Sequence, residues 1–156
     1  MVIYYSWSGN TKAYAEELAA KKGLNTFPLK EKKERKTGKL AFFRGCVQGI
    51  TRKQTAVVAL PDLSKCTEVF ICTPVWASDP APAIRYFLNH ADLNGRKVNF
   101  LFTCGGMTEP EVFQTAVEQL LKDKGCSIGE VYTFSAKFKQ PLDFQTVKRN
   151  IEEAVK

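Results

Sequence analysis

Hydrophobic and polar positions along the chain keep two alternating spacings. Val2-Ile3-Tyr4-Tyr5 is a short apolar run of β-branched and aromatic residues, which predicts a buried strand from Val2 to Ser6. Tyr14, Ala15, Leu18 and Ala19 then fall on one face of a helix from Lys12 to Lys22. Gly23 closes that helix in the left-handed role glycine fills at helix ends. Asn25 to Leu29 reads as a second short strand. Leu40 to Thr51 follows with Phe42, Phe43, Cys46, Val47 and Ile50 at helical spacing, weakened by Gly45 and Gly49. Thr55 to Leu60 is an extended edge segment, broken by Pro61 and Asp62.

The second half carries the longer runs. Glu68 to Thr73 is continuously apolar, as a strand covered on both faces requires, and Pro74 is expected to stop it. Pro80 and Pro82 bracket the start of a helix that runs to about His90. Lys97 to Thr103 is another strand, broken by Gly105-Gly106. Glu109 to Lys124 places Val112, Phe113, Ala116, Val117, Leu120 and Leu121 on a helical stripe. Val131 to Ala136 is the last strand, and Phe144, Val147, Ile151 and Val155 line the last helix. Strands alternating with helices imply a parallel sheet covered on both faces, in one α/β domain spanning residues 1–156. No internal repeat, linker or low-complexity tract interrupts it.

Composition changes this picture little. The chain has 156 residues, 44% hydrophobic and 25% charged, as in a soluble globular protein. No apolar run is long enough to span a bilayer, and Met1 leads directly into a strand rather than a signal peptide, so a cytoplasmic protein is expected. Cysteines 46, 66, 72, 104 and 126 show no paired metal spacing. With His90 the only histidine, neither a zinc site nor a disulfide framework is expected. Cys72 reads as core, His90 as a helix-end residue and Cys104 as a loop thiol. Part of the net charge of +7 lies between Lys30 and Lys39, where six Lys or Arg outnumber Glu31 and Glu34. Such a run reads first as a solvated edge and second as a docking surface for an acidic partner. Nucleic acid ranks last, because no recognition motif accompanies the charge.

The candidate chemistry lies where strands give way to helices. Ser6-Trp7-Ser8-Gly9-Asn10-Thr11 follows the first strand and opens the first helix. A helix N-terminus offers unpaired N–H groups and the positive end of its dipole. Three hydroxyls, an amide and a glycine at that point suit a phosphate without any Lys or Arg. In a parallel sheet the segments Ser6–Thr11, Thr73–Pro82 and Thr103–Glu109 gather at the carboxyl ends of the strands. Trp76, set between prolines, reads as an exposed aromatic plane beside that phosphate turn, which together describe a mononucleotide site. The following Ala77-Ser78-Asp79 has no glycine, and non-glycine residues resist positive φ.

With these residues in hand, the chain resembles the flavodoxin family along essentially its whole length. Ser6-Trp7-Ser8-Gly9-Asn10-Thr11 is similar to that family's FMN phosphate loop, Thr73-Pro74-Val75-Trp76 to its second, ring-covering loop, and Cys104-Gly105-Gly106 to its third. The resemblance implies the short-chain form, a flavodoxin-like three-layer sandwich with a five-stranded parallel sheet in the order 2-1-3-4-5. It also implies non-covalently bound FMN. Ser6, Ser8, Asn10 and Thr11, with the loop backbone, would hold its phosphate, and Trp76 would stack on its ring. Backbone groups of Val75, Ala77, Gly105 and Gly106 would approach the polar edge of that ring. The implied function is electron transfer to redox partner proteins, by a monomer or weak dimer; the chain's own basic charge, unlike the acidic balance typical of the family, would suit acidic docking surfaces on those partners. The alternative on the same fold is an FMN-dependent NAD(P)H:quinone-type oxidoreductase. A flavin-free binding module comes third, because the phosphate loop is intact.

Overall fold

The computed structural model describes residues 1–33, 35, 47–48, 50–106, 110–136 and 142–155. Its centre is a run of five parallel strands: β1 (Val2–Tyr4), β2 (Thr26–Pro28), β3 (Glu68–Trp76), β5 (Lys97–Cys104) and β6 (Ser127–Ser135). They lie side by side in the order β2-β1-β3-β5-β6. Counting the parallel strands alone, this is the expected 2-1-3-4-5. A two-residue strand, β4 (Asp79–Pro80), folds back antiparallel on the end of β3 and was not anticipated. Helices α1 (Asn10–Lys22), α2 (Pro82–His90), α3 (Pro110–Leu121) and α4 (Phe144–Ala154) complete the layers.

Strand alternation divides the core in two. Val2, Tyr4, Phe70, Cys72 and Leu101 point toward α1 and α4, where they pack on Tyr14, Ala15, Leu18, Val147 and Ile151. Ile3, Val69, Ile71, Val98, Phe100 and Phe102 point the other way, onto Ile84, Phe87 and Leu88 of α2 and Phe113 and Val117 of α3. Both faces are therefore dry, which is what the continuous apolar runs of β3 and β5 required. Gly23 ends α1 at φ 63°, its N–H and that of Leu24 returning to the carbonyls of Ala20 and Ala19.

Several boundaries differ from expectation for local reasons. β3 runs through Pro74 to Trp76. Phe70 donates to Met1 and the Cys72 carbonyl accepts from Tyr5, so alternate residues turn their polar groups toward β1. Pro74 falls on that same side, two residues beyond where β1 ends, and its missing N–H costs no ladder bond. β6 begins at Ser127 rather than Val131, with a register shift opposite Val98 and Phe100. There the buried Asn99 amide oxygen accepts from the backbone of Glu130 at 2.8 Å. Phe144 is exposed, not a core member of α4; Asp143 caps the helix by accepting from Thr146 instead. The stretch 55–60 forms no strand, only an isolated antiparallel bridge between Glu31 and the buried Val57. Of the expected helix at 40–51, residues 40–46 and 49 lie outside the described residues, Phe42, Phe43 and Cys46 among them. Val47, Gln48 and Ile50 are helical, and Val47 and Ile50 are exposed. No described helix is long and apolar enough to cross a membrane.

Candidate functional site

From β1 the chain crosses to β2 on one side, and later returns as β3 on the other. The carboxyl ends of β1 and β3 therefore flank the crevice where the direction of winding reverses. A cleft of about 330 Å³ opens there, at the low end of the range of small-molecule sites. The turn after β1 supplies Trp7, Ser8 and Asn10 to its lining, the end of β3 supplies Pro74, Val75 and Trp76, and β5 with the chain beyond it supplies Thr103 and Gly105. Ala136, just past β6, completes it.

The first turn is locally determined. Gly9 sits at φ 94°, ψ −21°, a left-handed conformation that side chains disfavour, and no atom lies close to where its Cβ would be. Its N–H donates to the Ser6 hydroxyl oxygen at 3.1 Å, closing the turn. α1 then begins with no side-chain cap and no acidic residue in its first turn, and its first internal bond runs from Ala13 to the Gly9 carbonyl. The positive end of the helix is thus left to whatever occupies the cleft. Ser8 is exposed, and Asn10 is largely buried against the cleft. Thr11 is enclosed, its hydroxyl 2.7 Å from that of Thr103. That contact ties the helix start to the end of β5.

The second loop is built by distant partners. Trp76 pairs with Asp79 and Val75 with Pro80, so Ala77 and Ser78 form a two-residue hairpin turn. Both have positive φ, 51° and 65°, as turns of this kind demand. The conformation the sequence argued against is therefore present, because the surroundings enforce it. Asp79 takes a forked ion pair from Arg85 of α2, with Arg85 Nε 2.9 Å from Asp79 Oδ2 and both side chains nearly buried. Thr73, fully buried, accepts from the Ala81 backbone N–H at 3.1 Å. Its hydroxyl fixes the far side of the hairpin and takes no part in lining the cleft.

Trp76 is not an exposed plane. It is 6% exposed, with the Tyr5 and Trp7 rings nearly perpendicular to it at 6.0 and 5.9 Å. The Arg35 guanidinium lies 4.8 Å from the centre of its ring. Arg35 is in turn held by both carboxylate oxygens of Glu31, at 2.9 and 3.3 Å, in a pair that is almost wholly buried. In the basic run 30–39, Lys30, Lys32 and Lys33 are exposed as a solvated edge requires, while Glu31 and Arg35 fold in; residues 34 and 36–39 lie outside the described ones. Burial, then the Glu31 carboxylate, pushes the Tyr5 phenol well above its ordinary range. Burial works against the charge on Arg35, but its bonds to Glu31 outweigh that and raise its pKa.

In the third loop Gly105 and Gly106 are exposed, and residues 107–109 lie outside the described ones. The buried Cys104 thiol donates to the Gly106 carbonyl at 3.1 Å, closing the double-glycine turn rather than facing the cleft. Of the residues named from sequence, Trp7, Ser8, Asn10, Pro74, Val75, Trp76 and Gly105 line the cleft. Ser6, Gly9, Thr11, Thr73, Ala77, Cys104 and Gly106 shape the loops around it. Sequence reading brought Thr103 to the site only as the first residue of the third segment, and it missed Ala136 and the Tyr5–Glu31–Arg35 group. Thr103 and Ala136 end predicted strands and were findable by that position; nothing local marks Arg35.

No protein-family model matches the chain, and no curated protein does either. Among solved structures, the fold is similar to a protein of Bacteroides uniformis provisionally named a flavoprotein, with TM-score 0.78 and 19% identity over 97% of this chain and 96% of that one. It is also similar to a Lactobacillus acidophilus flavoprotein solved in complex with FMN, with TM-score 0.69 and 22% identity over 85% and 90%. A flavodoxin from the domain Archaea matches over 98% and 94%, with TM-score 0.54 and 17% identity. The chain has the flavodoxin-like fold.

Proposed function

We propose that this protein binds FMN non-covalently in the cleft and passes electrons through it to partner proteins. The observation that carries the reading is the uncapped start of α1, opened by a left-handed Gly9, at one end of a cleft walled by two tryptophans at the sheet's switch point. A phosphate is the ligand group such a helix start receives, and an aromatic cleft beside it suits a planar ring. The binding of FMN by a protein of similar fold agrees with this.

The residues present fit such a group. Ser8 and Asn10, with the opening backbone N–H groups of α1, would receive the phosphate. Ser6, bonded to the Gly9 N–H, would hold the conformation that exposes those groups, and Thr11, bonded to Thr103, would lock the turn. Trp76 and Trp7 would form the ring's wall and exclude water, while the backbone of Val75 and Gly105 borders the cleft. FMN, when bound, supplies the redox chemistry, so no side chain is assigned a catalytic role. Acidic surfaces on redox partners would suit the net charge of +7.

The test is the visible absorption spectrum of the purified protein before and after addition of FMN, followed by desalting. Flavin bands that stay with the protein are expected. A protein that remains colourless and refuses added FMN overturns the reading. With the flavin bound, reduction by a partner reductase and negligible turnover of NAD(P)H support a carrier; rapid NAD(P)H oxidation would make the protein an oxidoreductase instead.

A further inference from the structure

The Glu31–Arg35 pair lies outside the named strands and helices. Its segment is fixed to the body by backbone bonds, Lys32 to the Ala56 carbonyl and Val58 to the Lys30 carbonyl, beside the bridge of Glu31 to Val57. From there one side chain reaches the cleft wall. Arg35 covers Trp76 at 4.8 Å without itself lining the cleft, and it is only 12% exposed. A guanidinium set this way is held by its carboxylate on one side and by the indole on the other, shielded from water that would screen it.

Resting on the FMN reading above, we propose that Arg35, held by Glu31, is a positioning residue for the cofactor site: it braces the indole of Trp76 from outside the cleft and sets a fixed positive charge behind the wall that receives the ring. Two consequences follow. Without the brace the indole loses the group that lies over its ring, since the Tyr5 and Trp7 rings stand nearly perpendicular to it and, among the described residues, only the Arg35 guanidinium is seen over its face. A cation behind the wall favours electrons placed on the bound ring, and the Glu31 carboxylate opposes this. The groups facing Arg35 that bear on its charge are Glu31 and Tyr5.

The experiment measures the midpoint potential of bound FMN in the wild type, Glu31→Gln and Arg35→Met. Glu31→Gln keeps the shape and a hydrogen bond to Arg35 while removing the negative charge, so the potential rises. Arg35→Met removes the positive charge, so it falls, and Arg35→Lys lies nearer the wild type. Opposite signs are what a merely structural role does not produce. Shifts of the same sign in the two variants, or none, overturn the proposal. Where Arg35→Met fails to fold, Glu31→Gln alone decides by its sign, and the Glu31→Gln/Arg35→Met protein, again uncharged, is expected between the two singles.

The brace is read separately without flavin. Trp7→Phe leaves Trp76 the only tryptophan. Its near-ultraviolet circular dichroism in the apoprotein is expected to collapse on Arg35→Met; an unchanged band overturns the brace. A wild type that binds no FMN overturns the function proposed above, and the apoprotein signal then decides the brace by itself.

Discussion

The turn at Ser6–Thr11 and the hairpin at Thr73–Ala81 reach the same cleft by opposite means. The first uses one glycine at φ 94° and a bond between residues three apart. The second puts two residues with side chains at positive φ and holds them there with partners from other elements: Arg85 of α2 on Asp79, and Arg35 on Trp76. One conformation is permitted by its own sequence, the other imposed on it. A site wall made the second way stands or falls with its remote contacts, and the strain it stores is of the kind that gathers at functional positions.

Breaking the contact that imposes the hairpin should have the largest effect. Asp79→Ala leaves the nearly buried Arg85 guanidinium without its carboxylate, a loss that costs about 3 kcal/mol when such pairs are broken from one side. Urea denaturation measures it. A loss below about 1 kcal/mol would mean that the β3–β4 pairing holds the turn unaided. The equivalent cut at the first turn is Thr11→Val, which strands the buried Thr103 hydroxyl. It should cost about 1–2 kcal/mol, with weaker FMN retention on desalting, because α1 is no longer tied to β5 at its start. Equal losses for Asp79→Ala and Thr11→Val would erase the contrast between the two loops.

The same contrast explains what could be read from the chain. The order of strands and helices followed from apolar runs such as 68–73 and stripes such as Tyr14, Ala15 and Leu18, because burial on a sheet or helix face is written at spacings of two and of three to four. The first turn was legible because glycine, hydroxyls and the helix start are neighbours in sequence. Pro74 misled because a proline stops a strand only where its N–H had a partner, and the length of β1 decides that, not the residues beside Pro74. Trp76 was expected open, and Glu31 and Arg35 solvated, for a related reason. Their burial goes with residues 30–32 docking beside residues 56–58, a contact no local pattern announces. Phe144 erred the other way: helical spacing selects a face but does not say where along the helix the core ends.

The sharpest form of the comparison is a reciprocal pair of small changes. Gly9→Ala puts a Cβ into open space, so nothing but backbone conformation is altered, and a non-glycine residue in the left-handed region costs about 1 kcal/mol. Ala77→Gly removes the same penalty at φ 51°, offset by the greater freedom glycine gives the unfolded chain. The net expectation is a gain of about 0.5 kcal/mol for Ala77→Gly against a loss of about 1 kcal/mol for Gly9→Ala, read as opposite displacements of the urea midpoint at unchanged slope. Loss of stability in both would mean that Ala77 is held by contacts of its methyl group and carries no relievable strain. Opposite signs would establish that the aromatic wall is set on a turn its own residues resist. Its geometry then belongs to Asp79, Arg85 and Arg35 as much as to Trp76.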